Sequence, residues 1–104
     1  MNESLKDISF LTVIAGRKLK EELSVAITEN GGRLVNIIYG KGSVKASYLM
    51  DAFGFAPEEN KVVITCLLSR KRAESMINML TDEFDFNKPN TGIAFTIPVN
   101  GLTF

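Results

Sequence analysis

Two of the side chains most used in enzymatic chemistry are scarce in this sequence of 104 residues. It has no histidine, the commonest general base and metal ligand, and Cys66 is its only cysteine. A single cysteine can form neither a disulfide within the chain nor a cysteine metal cluster. Asp51 has no obvious carboxylate partner, and Ser43 and Ser47 have no histidine to activate them. We therefore predict that the protein is not an enzyme, has no catalytic residues and binds no metal.

One candidate for anion binding is the segment Gly40-Lys41-Gly42-Ser-Val-Lys45. Paired glycines let a backbone approach a ligand closely, and the two lysines could face phosphate groups. The segment matches neither G-x-x-x-x-G-K-[ST] nor G-x-G-x-x-G, and it opens a loop instead of a helix. Taken alone, it fits a flexible hairpin base better than a nucleotide site.

A second basic segment, Arg70-Lys71-Arg72, opens a predicted helix. The free N–H groups at a helix N-terminus attract anions, whereas basic side chains there oppose the helix dipole. The segment is therefore either an anion site or plain solvated charge, and solvated charge is the favoured interpretation.

The spacing of apolar residues predicts the elements that position these segments. Runs rich in β-branched and aromatic residues predict four strands, at about 8–15, 33–39, 61–68 and 92–99. Apolar residues at three- and four-residue spacing predict two amphipathic helices, one at about 18–30 and one capped by Ser69. Residues 40–60 show neither period and are predicted to form a long loop.

The predicted order is βαββαβ, and a weak internal repeat between 12–18 and 65–71 supports it. Two split β-α-β units give the α+β ferredoxin-like fold, a four-stranded antiparallel sheet with two helices on one face. We expect residues 1–104 to form one such domain. In this topology the start of the first helix, the 40–60 loop and the 85–91 turn share one end of the sheet.

The predicted strands are apolar on both faces. Alternate residues of a strand point to opposite faces, and the third strand has Val62 and Ile64 on one side and Val63 and Leu67 on the other. Two helices cover only one face, so the other would be an exposed apolar patch of the kind that marks an interface. We expect a homo-oligomer whose sheets pack together. The alternative is a monomer in which the 40–60 loop or the tail covers the face.

Taken together, the motifs resemble those of the PII-type nitrogen regulatory proteins over most of the chain. The resemblance rests on residues 12–23, on Tyr39-Gly-Lys-Gly42 and Lys61-Val-Val-Ile64 around the central loop, and on Thr91-Gly-Ile-Ala-Phe-Thr-Ile-Pro-Val99. It implies a ferredoxin-like homotrimer with sheets facing inward. It also implies a sensor that binds ATP, ADP or AMP between subunits and contacts a regulated transporter or metabolic enzyme through residues 43–56.

The resemblance further implies which residues bind the ligands. Lys61 matches a lysine that contacts a small dicarboxylate effector in the family, and Lys45 falls where a lysine contacts phosphate. Gly92 matches the last glycine of a turn that cradles phosphates from the neighbouring subunit. The full set of implied binding residues is Gly40, Lys41, Gly42, Lys45, Lys61, Lys88 and Gly92.

Several cations of the family's phosphate site are replaced in this sequence. The family's loop arginine is Ser43 here, the lysine after the turn glycine is Ile93, and the C-terminal stretch with two nucleotide-contacting arginines has no counterpart. Each such cation contributes about 1–3 kcal/mol through a charge-assisted hydrogen bond. We therefore expect weakened nucleotide binding or a different effector.

Composition sets the remaining expectations. Twelve Lys and Arg balance twelve Asp and Glu, which gives no electrostatic reason to bind nucleic acid or an acidic membrane. No apolar run approaches the roughly 20 residues of a membrane span, and the start lacks the pattern of a secretion signal. We expect a cytoplasmic protein without membrane insertion. The alternative function is a trimeric ferredoxin-like metal- or metabolite-binding protein, although soft-metal ligands are missing.

Overall fold

The computed structural model describes residues 7–40, 60–88 and 91–103, and the elements follow each other in the predicted order. They are β1 (Ile8–Gly16), α1 (Lys20–Glu29), β2 (Arg33–Gly40), β3 (Lys61–Ser69), α2 (Arg70–Phe84) and β4 (Gly92–Pro98). The strands form one sheet in the order β2-β3-β1-β4, in which every neighbouring pair is antiparallel. The predicted ferredoxin-like α+β fold is confirmed.

Local signals in the sequence account for the ends of the helices. A 3₁₀ turn, Arg17–Leu19, precedes α1, so the α-helix begins two residues later than predicted. After α1, Gly31 has a φ of +99°, a conformation that glycine adopts without a Cβ clash. The Ser69 hydroxyl caps α2 by accepting a hydrogen bond from the backbone N–H of Arg72 at 3.2 Å, as predicted.

The hydrophobic core lies between the two helices and one face of the sheet. Its fully buried larger side chains are Leu11, Val13, Leu23, Ile27, Val62, Ile64, Cys66, Met76 and Leu80. Burial raises the pKa of the Cys66 thiol to about 11, which makes it a packing residue instead of a nucleophile.

The opposite face of the sheet is apolar, and neither α1 nor α2 covers it. Phe10 of β1 pairs with Leu67 of β3 and with Ile97 of β4, so the three side chains share this face. Two of the apolar residues on this face at the edge strands, Ile97 and Ile38, are 49% and 55% exposed. The expectation that the strands are apolar on both sides is therefore confirmed.

Candidate functional site at the base of the central loop

Three strand ends meet where the chain leaves β2 and returns in β3. Lys61, the first residue of β3, pairs with Gly16 at the end of β1 and with Gly40 at the end of β2. A Cβ atom added to either glycine would meet no atom within 4 Å. Lys61 is only 3% exposed. This Gly16–Lys61–Gly40 row therefore places a buried cation between two strand ends whose backbone a ligand can approach closely.

Two further basic residues reach this end of the sheet through Tyr39. The Arg17 guanidinium carbon lies 4.7 Å from the centre of the Tyr39 ring, and the Lys20 ammonium lies 5.8 Å from it. These are cation–π distances. The backbone N–H of Arg17 also donates to the Asn60 carbonyl at 3.1 Å, which ties the turn after β1 to the start of β3. Arg17, Lys20 and Tyr39 thus form a basic cluster at this end of the sheet. Tyr39 pairs with the core residue Val62, so the cluster lies on the helix-covered face, whereas the Lys61 side chain projects from the other face.

This basic cluster carries more positive than negative charge. Lys20 is paired with Glu21 at 3.1 Å, and the Tyr39 side chain, followed by Glu21, raises the pKa of Lys20. Among the described residues, the Arg17 Nε is buried without a hydrogen-bond partner. A buried donor left unpaired costs about 1–3 kcal/mol. The arrangement suits an anionic ligand group, a phosphate or a carboxylate, better than a cation.

The structure brings some of the predicted binding residues together and separates others. Gly40 and Lys61 are direct neighbours, whereas Gly92 begins β4 at the opposite edge of the sheet. Gly92 lies at the same end, since it pairs with Ala15. Three strand spacings separate the two edges, or about 14 Å. Gly40 and Gly92 of one chain therefore cannot hold the same phosphate group.

Lys88 lies in the turn before β4, with its side chain 66% exposed and 3.5 Å from the Asp85 carboxylate. An exposed pair of this kind contributes little to stability. Lys41, Gly42 and Lys45, the other predicted binding residues, lie outside the described part of the chain.

Gly92 has a packing reason to be glycine. A Cβ atom at this position would lie 2.3 Å from the Cζ atom of Phe86. The Phe86 ring in turn meets Phe84 edge-on, with 6.4 Å between the ring centres. The close approach of Phe86 by itself accounts for the residue type, and a role for Gly92 in cradling phosphate stays a prediction.

The reasoning from sequence placed the start of the first helix at this end of the sheet but did not include Arg17, Lys20 or Tyr39 among the binding residues. The available signal was the position of Gly16 and Gly40 at the ends of two strands that flank the same third strand. Their pairing with Lys61 depends on the register of the sheet, which no local pattern specifies.

The described residues contain neither a metal-binding group nor a membrane-spanning helix. In residues 7–40, 60–88 and 91–103, no group of three or more Cys, Asp or Glu side chains is arranged to hold a metal ion. Within the same ranges, neither helix is long and apolar enough to cross a membrane.

Comparisons with known proteins give matches in structure alone. Neither the models of protein families nor the curated protein sequences match this chain. A PII-like signalling protein of Thermus thermophilus superposes with a TM-score of 0.66 at 17% identity, over 88% of this chain and 86% of that one. The fold is that of the PII-like proteins.

Two further structures with the PII-like fold contain bound ligands. CPII of Thiomonas intermedia, bound to ADP, AMP and acetate, has a TM-score of 0.64 at 18% identity, over 88% of this chain and 87% of that one. Arabidopsis thaliana PII, bound to citrate, has a TM-score of 0.63 at 20% identity, over 91% of this chain and 79% of that one. The resemblance noted in the sequence is thus confirmed at the level of the fold.

Proposed function

We propose that this protein is a PII-like regulator that binds a small anionic metabolite at the base of its central loop. The observation that carries the proposal is the Gly16–Lys61–Gly40 row, where a buried lysine lies between two glycines whose backbone is open to a ligand. The basic cluster of Arg17, Lys20 and Tyr39 adds positive charge at the same end of the sheet, on its helix-covered face. Binding there would act on the residues between β2 and β3.

An adenine nucleotide is the first ligand that we propose. Its phosphates would approach the backbone of Gly40, Lys41 and Gly42 and meet the cations Lys45, Lys61 and Lys88. The ADP and AMP bound to CPII support the choice. Arg17 and Lys20 could replace the two cations of the family's phosphate site whose positions are taken by Ser43 and Ile93 in this sequence. We further propose that residues 43–56 contact a regulated transporter or metabolic enzyme.

The proposed assembly is a homotrimer with the apolar sheet faces turned inward. Two features support it. The apolar face leaves Ile38 and Ile97 about half exposed in a single chain. Gly40 and Gly92 lie at opposite edges of one sheet, so a site that uses both needs a second copy to bring the β4 edge to the loop base.

Calorimetric titration tests the proposal. The purified protein, its mass first determined by light scattering, is titrated with ATP, ADP and AMP, each with Mg²⁺. We expect saturable binding of at least one nucleotide, weakened about 10- to 100-fold by Lys61→Gln, because a charge-assisted hydrogen bond is lost. Lys71→Gln, which removes the same charge at the other end of the sheet, should leave binding unchanged.

Two results would overturn the proposal. If a folded oligomer gives no heat with any of the three nucleotides, an adenine nucleotide is excluded as the ligand. Equal affinities for Lys61→Gln and Lys71→Gln would show that a nucleotide binds somewhere other than the loop base.

A further inference from the structure

A cleft with an approximate volume of 620 Å³ opens between α2 and the edge strand β4, at the end of the sheet remote from the central loop. This volume falls within the range of small-molecule sites. Ala73 and Ile77 give the cleft an apolar floor. Its polar lining comes from α2 and from the strands β1 and β4, so two different layers of the fold form its walls.

The helix contributes one row of polar side chains to this cleft. Arg70, Glu74 and Asn78 line it and follow each other at four-residue spacing, which places them on one face of α2. Their order along the cleft is a cation, an anion and an amide. Within the described residues, neither Arg70 nor Glu74 forms an ion pair. Both charges are therefore available to a ligand.

The sheet contributes a hydroxyl group. Ser9 lines the cleft, is only 5% exposed and pairs in the sheet with Pro98, which has no N–H to donate. In the part of the chain that the structure describes, the Ser9 hydroxyl makes no hydrogen bond. Among the described residues this oxygen is not one of the buried unpaired atoms, so it is accessible from the cleft and can donate to a ligand without first breaking an internal hydrogen bond.

We infer that this cleft binds a small zwitterion of the free amino acid class. The guanidinium of Arg70 suits the carboxylate, with the Ser9 hydroxyl as a further donor, and Glu74 suits the ammonium group. The apolar floor suits the carbon atoms of the ligand. One cation and one anion make the site neutral overall, which disfavours polyphosphates and simple cations alike. The cleft shares no residue with the loop base, so this inference is independent of the proposed function.

Nuclear magnetic resonance on the ¹⁵N-labelled full chain tests the inference. Individual L-amino acids are titrated to millimolar concentration, and at least one should shift the backbone amides of Ser9, Glu74 and Thr96 with saturation. For that amino acid, the N-acetyl derivative and the carboxamide derivative should each bind about tenfold more weakly or worse, because each lacks one of the two charges.

Matched variants separate recognition from structure. Arg70→Gln and Glu74→Gln should each weaken binding about tenfold or more, while Lys71→Gln and Asp82→Asn, which remove the same charges from exposed positions of α2 outside the cleft, should not. In Glu74→Gln, the preference for the free amine over its N-acetyl form should disappear. In Arg70→Gln, the preference for the acid over its amide should disappear.

The inference is overturned if no amino acid gives saturable shifts at the cleft. It is also overturned if the blocked derivatives bind as well as the free amino acid, or if the cleft variants behave like their controls. The unshifted resonances of each variant report whether it has kept its fold.

Discussion

Replacing Gly92 with alanine should destabilise the fold, because its new methyl group would run into Phe86. The Cβ atom would lie 2.3 Å from Cζ, 2.4 Å from Cε1 and 2.7 Å from Cε2 of that ring. Carbon atoms pack best at about 3.5–4.0 Å, so the ring would have to move by roughly 1 Å. Phe86 packs against the hydrophobic core and meets Phe84 edge-on, which limits how far it can yield.

The size of the effect follows from two opposing contributions. Overpacking of this kind lowers the free energy of unfolding by about 1–3 kcal/mol. Alanine also restricts the unfolded chain, which raises the free energy of unfolding by about 0.4–1 kcal/mol. The net loss in the free energy of unfolding then ranges from about 0 to about 2.6 kcal/mol. Gly16→Ala is the matched control, because Gly16 has φ −64° and ψ 142° and its new Cβ would meet nothing within 4 Å. That variant should gain about 0.4–1 kcal/mol.

Urea unfolding followed by far-ultraviolet circular dichroism measures both variants. All proteins are compared at one concentration, because stability depends on concentration if the chain is an oligomer. Phe86→Leu should remove most of the clash, so the double variant Gly92→Ala/Phe86→Leu should be more stable than the sum of the single effects by at least about 0.5 kcal/mol. Equal stability of the two alanine variants, or strict additivity in the cycle, would refute the packing explanation of Gly92.

Three further predictions concern the sheet face, the buried thiol and the helix cap. Ile97→Lys places a charge on the apolar sheet face and should lower the mass measured by light scattering. Val25→Lys, at an exposed position of α1, should leave the mass unchanged. An unchanged mass for Ile97→Lys would argue against packing through this face. Burial raises the pKa of Cys66 from 9.0 to about 11, so the folded protein holds this proton more tightly and loses stability as pH rises from about 9 through about 11. The Cys66→Ala variant should lose less stability than the unmodified protein over this pH range. Equal losses in the two proteins would show that the Cys66 thiol is not the cause. Ser69→Ala should cost about 0.5–2 kcal/mol in urea unfolding while Ser69→Thr keeps most of the stability, and equal losses would show that the hydroxyl does not act as the cap.

Much of the fold could be predicted because its signals are local. The alternation of apolar residues in the strands and their three- and four-residue spacing in the helices gave the order of the elements. Gly31 and Ser69 marked helix ends through the backbone conformation and the hydroxyl that those positions require. The start of α1 was less well predicted, because residues of a 3₁₀ turn continue the same apolar spacing as the helix that follows.

The candidate site could be predicted only in part. A lysine and several glycines around the central loop indicated the correct end of the sheet. The strand pairing that brings Gly16 and Gly40 next to Lys61, however, joins residues that are far apart in the sequence. The stacking of Arg17 on Tyr39 and the packing of Phe86 on Gly92 also depend on side-chain directions that a linear pattern does not contain.

The sequence by itself determined the fold class, the two-sided apolar strands and the lack of histidine beside a single cysteine, since each follows from residue types and short-range spacing. Only the tertiary structure decided which polar groups meet. It separated Gly40 from Gly92 across the sheet, brought Arg17 to the loop base and placed Ser9 in one cleft with Arg70 and Glu74. The physical reason is that strand register and helix packing are set by the burial of the whole core, so contacts between distant residues appear only once the chain has folded.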